Sequence, residues 1–97
     1  MTPSHRPPTT PGEILLEEFL LPKRMSQLAL AAKMGVPIQR VNTLVNGKRA
    51  VTPETAILLA RILGTTPEFW MNLQTRHDLW IARRRMDSKR SAARARE

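Results

Sequence analysis

Apolar positions along the chain recur at helical spacing and are broken by capping residues at five places. After Thr10-Pro11-Gly12-Glu13, the residues Ile14, Leu15, Leu16 and Phe19 mark one apolar side. This predicts a first helix over residues 11–21, ended by Pro22. Thr10 caps it, Pro11 suits the first helical position, and Glu13 completes a Thr-x-x-Glu capping box. Ser26 opens a second helix with Leu28, Leu30, Ala31 and Met34 as its apolar positions, closed by Gly35 as a left-handed cap. A third opens at Pro37, runs to about Val45 and stops at Asn46-Gly47. Thr52-Pro53 starts a fourth, whose stripe of Ala56, Leu59, Ala60 and Leu63 ends at Gly64. Thr66-Pro67 starts a fifth, carrying Phe69, Trp70, Leu73, Trp80 and Ile81. No strand-like alternation is present, so the predicted class is all-α: a compact bundle of five crossed helices joined by short turns. Residues 1–10, rich in proline, serine and threonine, are predicted to form a flexible arm. The folded domain spans residues 11–82. Residues 83–97 form a basic tail that continues the fifth helix for a turn before fraying.

Residues 26–46 carry the strongest functional pattern. Two short helices flank a turn centred on Gly35, the arrangement of a helix-turn-helix. Ala31 is small enough to let the helices approach, and Val41, Leu44 and Val45 face Leu30 and Ala31. On a wheel of 100° per residue, Gln39, Thr43 and Asn46 then lie opposite Val41 and Val45, with Arg40 and Asn42 on the flanks. That outward face is polar but nearly uncharged, unlike an ordinary solvated face rich in Glu and Lys. Gln, Asn and Arg can pair with base edges: Gln or Asn with adenine, Arg with guanine. Ile38 is placed for a thymine methyl, and Thr43 for a base or a methyl. Ser26 and Gln27 open the first helix of the pair, where backbone N–H groups favour a phosphate. Lys48 and Arg49 follow the second helix, next to the flanking backbone. The base-reading candidates are Gln27, Ile38, Gln39, Arg40 and Thr43. The phosphate-contacting candidates are Ser26, Asn46, Lys48 and Arg49.

Charge adds less than its total suggests. The 97 residues carry a formal net charge of +8, which favours an anionic partner. Residues 83–97 hold seven basic and two acidic side chains, so most of the excess sits in the tail. Cysteine is absent, which excludes disulfides and thiolate metal sites. No apolar run approaches the roughly 18 residues of a membrane span. The first residues lack the apolar core of a secretory signal. The expected location is cytoplasmic, at the nucleoid, without membrane contact.

Other chemistry fits the residues less well. His5 lies in the arm. His77-Asp78 are adjacent on a helix and diverge by 100°, without a second helical His to complete a metal site. Glu13, Glu17 and Glu18 suit the dipole at the start of the first helix better than acid–base work. No nucleophile–base order or glycine-rich phosphate loop is present. The chain reads as a non-enzyme with no cofactor and no metal. The fifth helix carries more apolar surface than a small monomer easily buries. Phe69, Trp70, Leu73, Trp80 and Ile81 are therefore candidates for a homodimer interface. A two-fold dimer would also double the base contacts at one-turn spacing.

Three stretches, PGEILLEEFL, LALAAKMGVPIQRVNTLVNGKR and TPETAILLARILGTTPEFWMNLQTRHDL, together resemble the HigA-type antitoxins, also labelled virulence-associated protein I. These lie within the Xre/Cro-like repressor superfamily. The resemblance covers about residues 11–82, and its most distinctive block is Thr66-Pro67-Glu68-Phe69-Trp70-Met71-Asn72-Leu73-Gln74. It implies a lambda-repressor-like bundle, a homodimer and a palindromic double-stranded operator in the protein's own promoter. It also implies a toxin partner, a small RelE-like (HigB-like) mRNA-cleaving ribonuclease. Gln27, Ile38, Gln39, Arg40 and Thr43 fall where such proteins contact DNA. The family often carries Glu where Thr43 stands, and Arg-Ile-Asn in place of Arg40-Val41-Asn42, which leaves the operator sequence open. Two other functions fit the same residues: a stand-alone repressor without a toxin, and an interaction adaptor that has lost DNA binding.

Overall fold

The computed structural model describes the backbone of residues 8–95 and the side chains of residues 8–89. Most of the predicted arm, including His5, lies outside the described residues. Among the described residues there are five helices and no strand. Helix α1 runs over residues 11–23, α2 over Gln27–Met34, α3 over Ile38–Val45, α4 over Pro53–Leu63 and α5 over Pro67–Ala95.

The caps follow from local chemistry. Thr10, Ser26 and Thr52 each accept a backbone N–H three residues ahead, from Glu13, Ala29 and Thr55 at 3.2, 3.0 and 3.3 Å. The Thr66 hydroxyl does the same for Phe69 at 3.1 Å. Such caps hold donors that the helix itself cannot satisfy. The predicted capping box forms only in part: the Glu13 carboxylate accepts the Thr10 hydroxyl hydrogen at 3.3 Å. At the other ends, α2 closes at Gly35 and α4 at Gly64, both left-handed. The N–H of Val36 reaches the Ala31 carbonyl, and that of Thr65 the Ala60 carbonyl, the hydrogen bond that completes such a terminus.

Pro22 does not end α1. Between Leu15 and Leu20 the helix widens to a π-helical turn, and the Leu21 N–H bonds to the Leu16 carbonyl five residues back. A proline in a regular α-helix collides with the carbonyl four residues earlier. The wider turn accommodates the ring, and the helix continues to Lys23. It stops at Arg24, a non-glycine residue in the left-handed region with φ 54°.

The core joins all five helices. Leu15 and Leu20 of α1, Leu30, Ala31 and Met34 of α2, and Val41, Leu44 and Val45 of α3 pack with Ala56, Leu59 and Leu63 of α4. Leu28, expected inside, is 64% exposed. Trp70 of α5 is fully buried. Its indole N–H donates to the Thr65 hydroxyl at 2.7 Å, and Phe19 and Phe69 pack against its ring at centroid distances of 5.3 and 5.0 Å. Trp70, expected at an interface, is therefore a core anchor whose enclosed ring has no surface for a second copy to contact. A Trp→Ala change in such a position costs about 3–5 kcal/mol.

The tail differs from expectation as well. Instead of fraying after one turn, α5 continues to Ala95, with residues 82–89 all exposed. The molecule measures 56 × 29 × 20 Å, with a Cα radius of gyration of 16.4 Å. A chain of this length packed into one body would have about 12.5 Å; the projecting helix accounts for the difference. Among the described residues, no helix is long and apolar enough to cross a membrane.

Candidate nucleic-acid interface

Helices α2 and α3 are held together by Leu30, Ala31 and Met34 against Val41, Leu44 and Val45. Burying these six residues fixes which side of α3 faces outward. Gln39, Arg40, Asn42 and Asn46 are exposed, Thr43 is half-buried and Ile38 is 38% exposed. The face that the wheel predicts is present in three dimensions.

Its residues divide by what they already touch. Ile38, Gln39 and Arg40 form the first turn of α3. Among the described residues, no side-chain hydrogen bond involves Gln39 or Arg40. Further along, Asn42 donates from its amide to the Gln27 side-chain oxygen at 3.3 Å, and its own oxygen accepts from the Asn46 amide at 3.3 Å. Gln27, Asn42 and Asn46 thus form a chain of amides across the two helices. The bond to Asn42 orients Gln27 and leaves its NH₂ group available for an acceptor.

Thr43 behaves differently from expectation. Its hydroxyl donates back to the Gln39 carbonyl at 2.8 Å, with the Arg40 carbonyl at 3.2 Å, and accepts from the Arg49 guanidinium at 3.4 Å. The hydroxyl hydrogen is directed to its own helix and is not offered to a base. This hydrogen bond ties Arg49 to the edge of the reading face. Ser26 likewise uses its hydroxyl as a cap for α2. Lys48 and Arg49 are exposed and follow Gly47, whose φ of 72° turns the chain out of α3.

Two positioning residues escape the sequence pattern. Gly12 lies where α1 crosses the end of α3: a Cβ there would overlap the Leu44 carbonyl and lie 2.8 Å from the Val45 oxygen. Only the missing side chain lets α1 brace α3. Gln74 of α5 accepts the Val51 N–H at 2.9 Å and donates to Asp78 at 2.9 Å, anchoring the segment that carries Lys48 and Arg49. Neither could be found from spacing, because both act between segments distant in the chain. Of the interface candidates, Phe69 is 38% exposed, Leu73, Trp80 and Ile81 are half-buried, and Trp70 is enclosed.

Residues 16–70 match the family model described as Helix-turn-helix. The chain is 46% identical over 85 residues to antitoxin HigA-1 of Vibrio cholerae, covering 88% of this chain and 80% of that protein. Among solved structures, it superposes on the Pseudomonas aeruginosa antitoxin HigA with the higBA promoter. The TM-score is 0.81 at 38% identity, covering 84% of this chain and 89% of the other. An addiction module antidote protein of a HigA family from Coxiella burnetii gives a TM-score of 0.79 at 43% identity, with 87% and 91% covered.

Proposed function

Because the chain belongs to the helix-turn-helix family and to its HigA-type antitoxins, we propose that it binds a DNA operator through α3 and represses its own operon. One observation carries this reading. The first turn of α3 presents Ile38, Gln39 and Arg40 outward, on a helix whose other side chains are already engaged. Arg40 and Gln39 are suited to guanine and adenine edges, and Ile38 to a thymine methyl. Gln27 stands beside them as a further base-reading side chain, and Lys48 and Arg49 supply donors for phosphate oxygens. The Pseudomonas aeruginosa antitoxin HigA, solved with the higBA promoter, supports the operator reading.

The finer reading is an antitoxin that pairs with a RelE-like toxin and binds a palindromic operator as a homodimer. The names of the relatives support the toxin. Phe69 and Leu79, exposed on α5, support a second copy. Gel shifts with DNA from upstream of the protein's own gene test the operator. The double change Gln39→Ala and Arg40→Ala should cost about 1–3 kcal/mol for each base that is no longer read, and unchanged binding rejects the assignment of α3. Sedimentation at micromolar concentration tests the dimer, which a monomer would exclude. Co-purification with the product of a neighbouring RelE-like gene tests the toxin.

A further inference from the structure

The cationic continuation of α5 starts beside the phosphate-facing edge of the reading unit. His77, Asp78 and Ile81 form one wall of an open cleft of about 200 Å³, and Lys48 and Arg49 belong to the other. One turn earlier, Gln74 holds the Val51 N–H. Helix α5 therefore runs alongside the turn that leaves α3 and then continues past it. From Ile81 to Ala95 it advances about 21 Å at 1.5 Å per residue.

Residues 82–89 are all exposed, and none contributes to the core. Arg83, Arg84, Arg85 and Lys89 are carried there against Asp87 alone. The Arg84 guanidinium lies over the Trp80 ring at 5.0 Å, which holds one of these charges close to the helix surface. Like charges at i,i+4, such as Arg85 and Lys89, weaken an isolated helix. An anionic partner would relieve that repulsion.

We propose that this arm is a second, sequence-independent DNA contact, a cationic helix that meets phosphates flanking the bases read by α3. The choice of duplex DNA over an acidic membrane or protein comes from position. The arm begins at the wall of the cleft that Lys48 and Arg49 also line, so its cations follow in the chain directly after that edge. The inference rests on the DNA-binding reading above.

The test is fluorescence anisotropy on the full chain carrying Arg83→Gln, Arg84→Gln, Arg85→Gln and Lys89→Gln. Glutamine keeps the helix propensity of arginine and lysine. The probe is a mixed-sequence duplex of about 30 base pairs, titrated across a range of salt, since each phosphate contact adds about 0.9 to the slope of log affinity against log salt. The expected result is a slope shallower by up to about 3.6 per chain, with affinity down roughly tenfold or more at 0.1 M salt. The ratio of operator to mixed-sequence affinity should stay unchanged. A second full-length variant, Arg83→Glu with Lys89→Glu, should lower affinity in the same direction. A slope equal to that of the parent chain overturns the arm. So does a variant that keeps DNA affinity but loses binding to phosphatidylglycerol vesicles, which would make the membrane its partner. The Gln39→Ala, Arg40→Ala variant separates the two readings: it should lose the operator preference and keep the salt slope. If it keeps the preference, the assignment of α3 fails while a reduced slope in the arm variant still supports the arm.

Discussion

At the front of α3, Ile38, Gln39 and Arg40 are exposed, and the two polar side chains make no hydrogen bond among the described residues. At its back, Asn42 and Asn46 are joined to Gln27 through side-chain amides, and Thr43 is bonded to its own helix and to Arg49. The backbone end at Leu44 and Val45 lies against Gly12. The two halves share one helix of eight residues, yet the polar side chains of one make no hydrogen bond among the described residues and those of the other are tied to neighbouring side chains and backbone. A reader of base edges gains from this division. Holding the helix by one end restricts the positions that the other can sample, so fewer degrees of freedom remain to be frozen on binding.

The largest expected effect comes from breaking the held end. Gly12→Ala places a methyl group against main-chain carbonyls that cannot rotate away, so the helices must separate. Overpacking of this kind costs about 3 kcal/mol, or on the order of 15 °C in Tm for a domain of this size. Thermal melting followed by circular dichroism measures it. A variant as stable as the parent would show that α1 does not brace α3.

Gly12 also marks the limit of what can be read from the chain. Caps at Thr10, Ser26, Thr52 and Thr66 are legible because an oxygen and an N–H three residues away meet within one turn. The stripe of Val41, Leu44 and Val45 is legible because burial follows the helical period. Gly12 looks like any residue in a first turn until another helix arrives against it. Pro22 reads as a stop in the sequence because a π-helical turn depends on how α1 fits its neighbours. Trp70 reads as an interface candidate because an aromatic-rich segment does not say which of its rings turns inward. The outward face of α3 is legible, but its division into used and unused side chains is not. That division depends on rotamers chosen by Gln27 and Arg49, 15 and 6 residues from their partners.

The front half gives the next effect in size. Arg40→Ala should leave the melting temperature unchanged and weaken operator binding by about 2 kcal/mol, the middle of the range for one bidentate base contact. Competition against mixed-sequence DNA distinguishes this from removal of charge alone: the operator preference should fall with it. A smaller effect is expected from the amide chain. Asn42→Ala removes a brace, and a hydrogen bond of this type is worth about 1 kcal/mol. Combined with Gln27→Ala, it should show a coupling energy of at least about 0.5 kcal/mol in operator affinity, the signature of groups acting together. Strict additivity would mean that Gln27 and Asn42 meet DNA independently.

The smallest effect should come from Thr43, and it discriminates most sharply between the two halves. Thr43→Val keeps the shape and the methyl group while removing the hydroxyl. In the structure that hydroxyl bonds to the Gln39 carbonyl and receives Arg49, so a base has no claim on it. Operator affinity should therefore change by less than about 0.5 kcal/mol, the size of a weak exposed hydrogen bond. Any decrease should reflect a looser Arg49 and so appear equally on mixed-sequence DNA. If Thr43→Val instead abolishes the preference for one base while leaving mixed-sequence binding intact, the hydroxyl must turn outward on binding. Thr43 would then belong with Gln39 and Arg40, and the boundary within α3 would move back by one turn.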